Sequence, residues 1–304
     1  MKGAKRVTPW WVRGLYAVVL GVPLLVGGLF VRDPMPALIA LQRAPLDLTL
    51  EREQLEGLEL WRGGTGEGPT LVLVHGFGDS AGGWGQVIGP MARRHLLVVP
   101  NMPGHGRSLP AEPPLRFEAL VQGLERVVDS VDGPVVLIGN SLGGFLSLRY
   151  AIDHPGRVQR VILINSGGLH YEPLTEQALM PTSREGLAAK NRAVMGEHAP
   201  SLPGFLADAL IEHQADPRLV SLWDDLRGGE PRSLEGQLGA VQTPVHVIWG
   251  TGDGLLPYEG YGERFAQELP KADEHLLEGC AHAPQYSCAP ELVLLLEQLL
   301  AEAP

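Results

Sequence analysis

Cysteine is almost missing from this chain: the 304 residues contain two, Cys280 and Cys288. Two thiols cannot make a disulfide framework or a structural metal site. They are either free or joined in one bridge, the latter if the domain lies in an oxidising compartment. No cysteine follows the apolar N-terminal run, which excludes a lipoprotein-type anchor. Internal repeats, low-complexity tracts and long runs of one charge are also lacking, so a repeat architecture is excluded. Cations are scarce beyond the N-terminus. Lys2, Lys5, Arg6 and Arg13 stand in the first thirteen residues with no acid among them, leaving 20 basic against 35 acidic side chains elsewhere. An acidic body of this kind argues against nucleic acid as a partner.

Charge is absent altogether from Gly14 to Val31. Eighteen residues at helical rise reach roughly 27 Å, close to the thickness of a bilayer core. Trp10 and Trp11 stand at the start of this run, and the four upstream cations place the N-terminus in the cytoplasm, with the remaining chain on the opposite side. The expectation is therefore an N-terminal membrane anchor over residues 1–31. Two alternatives stand beside it: a signal peptide cleaved near Val26-Gly27-Gly28, giving a secreted protein, and a buried core helix. The glycines and Pro23 of the run disfavour the last, because they suit lipid better than a water-soluble helix. Residues 32–45, opening with Arg32-Asp33-Pro34-Met35-Pro36, read as a linker.

From Leu46 onward, strand-like runs alternate with helix-like ones. Leu48–Glu53 and Leu58–Arg62 suggest an opening antiparallel pair; Leu71–Val74, Leu96–Val99, Val135–Ile138, Val158–Ile164, Val245–Trp249 and Glu274–Leu277 are further strands. Helices are predicted at Trp84–Arg93, Phe117–Val131, Leu142–Asp153, Tyr261–Leu269 and Pro290–Ala301. The pattern implies an α/β fold, a mainly parallel sheet with helices on both faces. Residues 166–242 carry no strand-like run and several proline-broken helical stretches, which predicts a helical cap between two core segments, 46–165 and 243–304.

Gly139-Asn140-Ser141-Leu142-Gly143 joins one of these strands to the following helix. In a G-x-S-x-G turn the serine is exposed at a sharp strand-to-helix corner, aimed to attack a carbonyl. Serine needs a base, and the base needs an orienting group. Among ten histidines, His282 is preferred because it follows the last strand; Asp253 directly follows the strand before it. The chain order Ser141, Asp253, His282 is that of a known triad arrangement. The amide of Leu142 and, from His75-Gly76-Phe77-Gly78, that of Phe77 are the candidate oxyanion donors. His75 and His105 are read as loop supports, Asp224 and Asp225 as surface charges, and Asp129 as a solvent-facing helix residue. Met180, Met195, Phe205, Leu206 and Trp223 are candidate linings of an acyl pocket, or core side chains at helical spacing.

These motifs, with Pro103-Gly104-His105-Gly106-Arg107-Ser108, Gly250-Thr251-Gly252-Asp253 and Gly279-Cys280-Ala281-His282, resemble the α/β-hydrolase family from about residue 46 to the C-terminus. With the N-terminal run and Ile164-Asn165-Ser166-Gly167-Gly168-Leu169, the chain looks like the branch of membrane-anchored monoacylglycerol lipases and related bacterial lipases. Asn101, Ala281 and the absence of glutamate between Pro284 and Pro290 depart from the common pattern. The resemblance implies an eight-stranded sheet, a serine hydrolase of carboxylic esters such as monoacylglycerols, and no metal or organic cofactor. C–C bond or amide hydrolysis with the same triad, and a non-catalytic membrane-tethered binding module, are the alternatives.

Overall fold

In a strand covered on both sides, successive side chains enter two different cores. That division is plain in the computed structural model, which describes residues 33–66, 68–228 and 233–301. Val72 and Val74 of β3 (Thr70–Val74) and Val135 and Leu137 of β5 (Val135–Asn140) enter one hydrophobic cluster; Leu71, Leu73, Val136 and Ile138 enter the other. The eight strands lie in the order β1-β2-β4-β3-β5-β6-β7-β8. Here β1 is Glu51–Leu55, β2 Leu58–Gly64, β4 Leu96–Pro100, β6 Val158–Ile164, β7 Val245–Gly250 and β8 Ala272–Leu277. The pairs β1/β2 and β2/β4 are antiparallel, and all the others are parallel. The eight-stranded, mainly parallel sheet expected from the sequence is therefore present.

Helix α1 (Met35–Thr49) occupies most of the stretch read as a linker. Pro34 and Pro36, which suit the end of a preceding helix, equally suit the first turn of a new one, where proline loses no hydrogen bond. Leu46 of α1 is fully buried, and Asp47 Oδ1 accepts a hydrogen bond from Trp61 Nε1 at 2.7 Å, docking the helix on β2. Because α1 continues through Thr49, β1 starts three residues later than the apolar pattern suggests. Helices α2 (Gly85–Ala92) and α11 (Ala289–Ala301) share the face of α1; α3 (Phe117–Asp129), α4 (Leu142–Asp153) and α9 (Glu263–Glu268) cover the opposite face. The four-residue α10 (Pro284–Ser287) precedes α11.

Between β6 and β7 lie α5 (Glu176–Leu179), α6 (Arg184–Met195), α7 (Gly204–Gln214) and α8 (Pro217–Arg227). Their starts are written locally. Ser183 and Asp216 accept from Gly186 N at 3.1 Å and Arg218 N at 2.8 Å, and Pro217 stands in the first turn of α8. Among the described residues no helix is long and apolar enough to cross a membrane. The run Gly14–Val31, expected as an anchor, lies outside the described residues.

Candidate active site

Parallel strands present their carboxyl ends on one edge of a sheet, where loops gather. Ser141, Asn165, Asp253 and His282 all lie just beyond such ends, those of β5, β6, β7 and β8. Ser141 has φ 54° and ψ −118°, a left-handed backbone forced on a residue with a side chain. Its carbonyl accepts from the amides of Gly144, Phe145 and Gly167 at 3.0, 3.1 and 2.9 Å. A Cβ on Gly139 would collide with the Gly143 backbone, and one on Gly143 with the Val74 carbonyl. The corner therefore requires glycine at both places, a close-approach constraint.

The acid and base meet on the same edge of the sheet. His282 Nδ1 lies 2.8 Å from Asp253 Oδ2, and the carboxylate is fully buried. Asp253 Oδ2 also accepts from Asn165 Nδ2 at 2.7 Å, while Oδ1 accepts from the amides of Leu255 and Leu256 at 2.8 and 2.9 Å. With this set of donors both oxygens of the buried side chain are satisfied. A carboxylate on Nδ1 leaves the imidazole Nε2 for proton exchange. Asp129 is exposed at the end of α3, as expected. Asp225 is not a surface charge: it is buried, accepting from Phe117 N at 2.8 Å and Arg116 Nη1 at 3.0 Å, and so ties α8 to the start of α3.

Neutral histidines shape the loop after β3. His75 Nε2 accepts from Met102 N at 3.0 Å, and His105 Nε2 accepts from Gly78 N at 3.2 Å. Burial pushes His75 down to about 4 and His105 to about 3, the latter also opposed by His75. Both act as hydrogen-bonding struts, in line with their reading as loop supports. As the first residue of α4, Leu142 keeps an amide that the helix cannot satisfy, at the positive end of its dipole. Asn101, one departure from the family pattern, accepts from Ala81 N at 2.7 Å and donates to the buried Glu59 at 2.6 Å. An aspartate there would face that carboxylate directly.

Ser141, His282, Phe77 and Leu142 line a cavity of about 450 Å³. Its apolar walls include Phe145 from the core, Leu169, Leu174, Trp223 and Leu226 from the segment between β6 and β7, and Leu255, Leu256 and Tyr261 from the segment after β7. Arg227, Glu235 and Glu172 add a polar part. Of the five acyl-pocket candidates only Trp223 lines this space; Met180 packs against Leu219 and Trp223, and Phe205 is 37% exposed. Periodicity marks an apolar helix face but not which cavity it meets. Asn140 escaped the sequence reading as well: its Nδ2 donates to the carbonyls of Ile164 and His282, both at 3.0 Å, and its Oδ1 accepts from Gln285 Nε2 at 2.9 Å. Cys280 and Cys288 are joined in a disulfide that closes the loop carrying His282. Among the described residues no group of three or more histidine, cysteine, aspartate or glutamate side chains is placed to hold a metal ion.

The sheet order, the serine corner and the strand-end acid and histidine together define an α/β hydrolase. The model of the alpha/beta hydrolase family matches residues 71–294, and the chain belongs to that family. A pimeloyl-[acyl-carrier protein] methyl ester esterase of Nitrosomonas europaea is 29% identical over 252 residues, 77% of this chain and 97% of the esterase. A 2-hydroxy-6-oxo-6-phenylhexa-2,4-dienoate hydrolase of Burkholderia cepacia is 25% identical over 274 residues, covering 80% of this chain and 91% of that protein. Among solved structures, a bacterial membrane phospholipase A superposes with a TM-score of 0.75 at 24% identity, covering 95% of this chain and 97% of that one.

Proposed function

We propose that this protein is a serine hydrolase that cleaves carboxylic esters through an acyl-enzyme, with lipid esters such as monoacylglycerols as the substrate class. The observation that carries this reading is the Asp253–His282 hydrogen bond at 2.8 Å, with His282 and Ser141 lining one apolar-walled cavity. Ser141 Oγ attacks the ester carbonyl while His282 Nε2 takes its proton. Asp253 fixes the imidazole and stabilises the imidazolium, and the amides of Phe77 and Leu142 receive the oxyanion. His282 then returns the proton to the leaving alcohol, and water attacks the acyl-enzyme by the same route in reverse. The apolar walls of the cavity support an acyl chain, and the polar part at Arg227, Glu235 and Glu172 leaves room for a head group. The Cys280–Cys288 bridge supports a catalytic domain outside the cytoplasm, with residues 1–31 as anchor or cleaved signal peptide.

A fluorophosphonate probe tests the nucleophile: labelling is expected in the parent and lost in Ser141→Ala. Labelling that survives the substitution would sink the serine assignment, and no labelling of the folded parent would favour the non-catalytic reading. p-Nitrophenyl and glyceryl esters of graded chain length test the substrate; turnover confined to short soluble esters removes the lipid part. The Burkholderia relative motivates a second reading, C–C hydrolysis with the same groups. Turnover of a vinylogous 1,5-diketone acid, with esters untouched, would favour it.

A further inference from the structure

A polar junction lies just outside the groups assigned above. Asp79 follows Phe77 by two residues in the loop after β3, and Tyr286 follows His282 by four residues, inside the disulfide-closed loop. The Tyr286 hydroxyl donates to Asp79 Oδ1 at 2.8 Å, and Gln42 of α1 donates through Nε2 to that hydroxyl at 2.7 Å. Ser80 N donates to the same Asp79 oxygen at 2.8 Å. The three side chains come from segments far apart in the chain, and none is needed to complete either core. Space for them is reserved: a Cβ on Gly83 would stand 2.5 Å from Asp79 Oδ2 and 2.7 Å from the Tyr286 hydroxyl. One on Gly82 would stand 2.9 Å from Gln42 Cγ.

A phenol hydroxyl rotates unless its oxygen is engaged. Gln42 occupies that oxygen, so the O–H is left to point at Asp79. Burial and the neighbouring carboxylate raise the Tyr286 phenol well above its ordinary value, which keeps it a donor. Burial also raises the Asp79 carboxyl, opposed by the hydrogen bonds from Tyr286 and Ser80 and by the charge of Lys190 on α6. The junction thus links the histidine-bearing loop to the Phe77-bearing loop, and α1 to both.

We propose that Tyr286 and Asp79 are positioning residues that hold the Phe77 amide in register with the oxyanion, with Gln42 fixing the phenol. This rests on the oxyanion role given to Phe77 under the proposed function. Tyr286→Phe removes a single oxygen, and it is expected to slow labelling of Ser141 by a fluorophosphonate about 10- to 100-fold, in the range of a misplaced oxyanion donor. The kcat for p-nitrophenyl butyrate should fall in parallel, with KM within about twofold, the sign of an interaction made in the transition state. Asp79→Ala should match it. Asp79→Asn keeps an acceptor oxygen and should recover to within about threefold of the parent, and Gln42→Ala should lose about threefold, both below the loss expected for an oxyanion donor.

A junction that serves only to dock α1 predicts a lower Tm with labelling and kcat unchanged. Parental labelling rates in folded Tyr286→Phe therefore overturn the proposal, as does failure of Asp79→Asn to recover over Asp79→Ala. Should Asp79→Ala not fold, Tyr286→Phe and Gln42→Ala decide the matter by the same rates. A parent that hydrolyses no ester, while its labelling still slows in Tyr286→Phe, removes the ester reading and leaves the positioning role standing. A parent in which Ser141 takes no label removes both.

Discussion

Strands β3, β5, β6 and β7 bury almost every side chain, whereas in the cap α5 buries none, α6 only Leu187 and α7 only Ala207; α8, tied to α3 through Asp225, is the exception and buries Leu219, Leu222, Trp223 and Asp225. Both regions line the same cavity. The difference is one of stiffness: densely packed strands open only with the whole domain, while helices with few buried contacts move at lower free energy. Ser141, Asp253 and His282 stand on loops anchored to the stiff half, where the reacting atoms need fixed geometry. Leu179 of α5 contributes wall from the loosely packed part of the cap, where a tolerant fit to an acyl chain is an advantage, and Trp223 and Leu226 contribute it from the better-buried α8. The floor should therefore govern kcat and Tm, and the roof KM and chain-length preference.

Predictions follow that contrast from its strongest expected effect downward. Asp253→Asn leaves the shape of the site but removes the charge opposite His282, and should lower kcat about 10⁴-fold with little change in Tm. Near-normal turnover in steady-state assays would move the orienting role elsewhere. Leu137→Ala, in the centre of β5 at zero exposure, should lose about 2–5 kcal/mol in denaturant unfolding. A loss under 1 kcal/mol would show the floor to be softer than its packing implies.

Acid should weaken the same floor. His75 and His105 have folded values depressed to about 4 and about 3, below the ordinary 6.5, so the unfolded chain binds protons that the native one does not. Their contribution is complete above pH 6.5 and is lost as pH falls toward 4 and then 3. A Tm that is flat between pH 7 and pH 4 would contradict this; His105→Gln should shallow the slope.

Breaking the Cys280–Cys288 bridge, by a dithiol or by Cys288→Ser, should reduce stability by ~2.5 kcal/mol on loop entropy alone. Because the bridge spans His282, kcat should fall at temperatures where the protein is still folded. Unaltered kcat and Tm in the reduced protein would mean that Asn140 and Gln285 suffice to hold the loop. Finally, Trp223→Ala, in the roof, should raise KM for medium-chain esters roughly tenfold, about the worth of one lost apolar contact set, and leave kcat unchanged. A fall in kcat with KM unchanged would put Trp223 in the chemical machinery and blur the division.

Much of this molecule was legible in one dimension. Alternation of apolar runs with amphipathic segments sets the strands and helices, because burial on one face or two repeats with a fixed period. The serine corner is legible since only glycine fits where Gly139 and Gly143 pass other backbone atoms, and Asp253 and His282 are legible from their places after strands. Less could be read where the outcome depends on who meets whom. The prolines at 34 and 36 suit an end and a beginning equally, and docking of Leu46 and Asp47 on the core decided for helix α1. Pairing of Cys280 with Cys288, the choice of Trp223 over Met180 as cavity lining, the burial of Asp225, and the second tier of Asn140 and Asn165 around the site were all settled in three dimensions. The reason is physical: local propensity and periodicity act within a few residues, while hydrogen bonds that span 88 or 142 positions exist only once the sheet has brought its strand ends together.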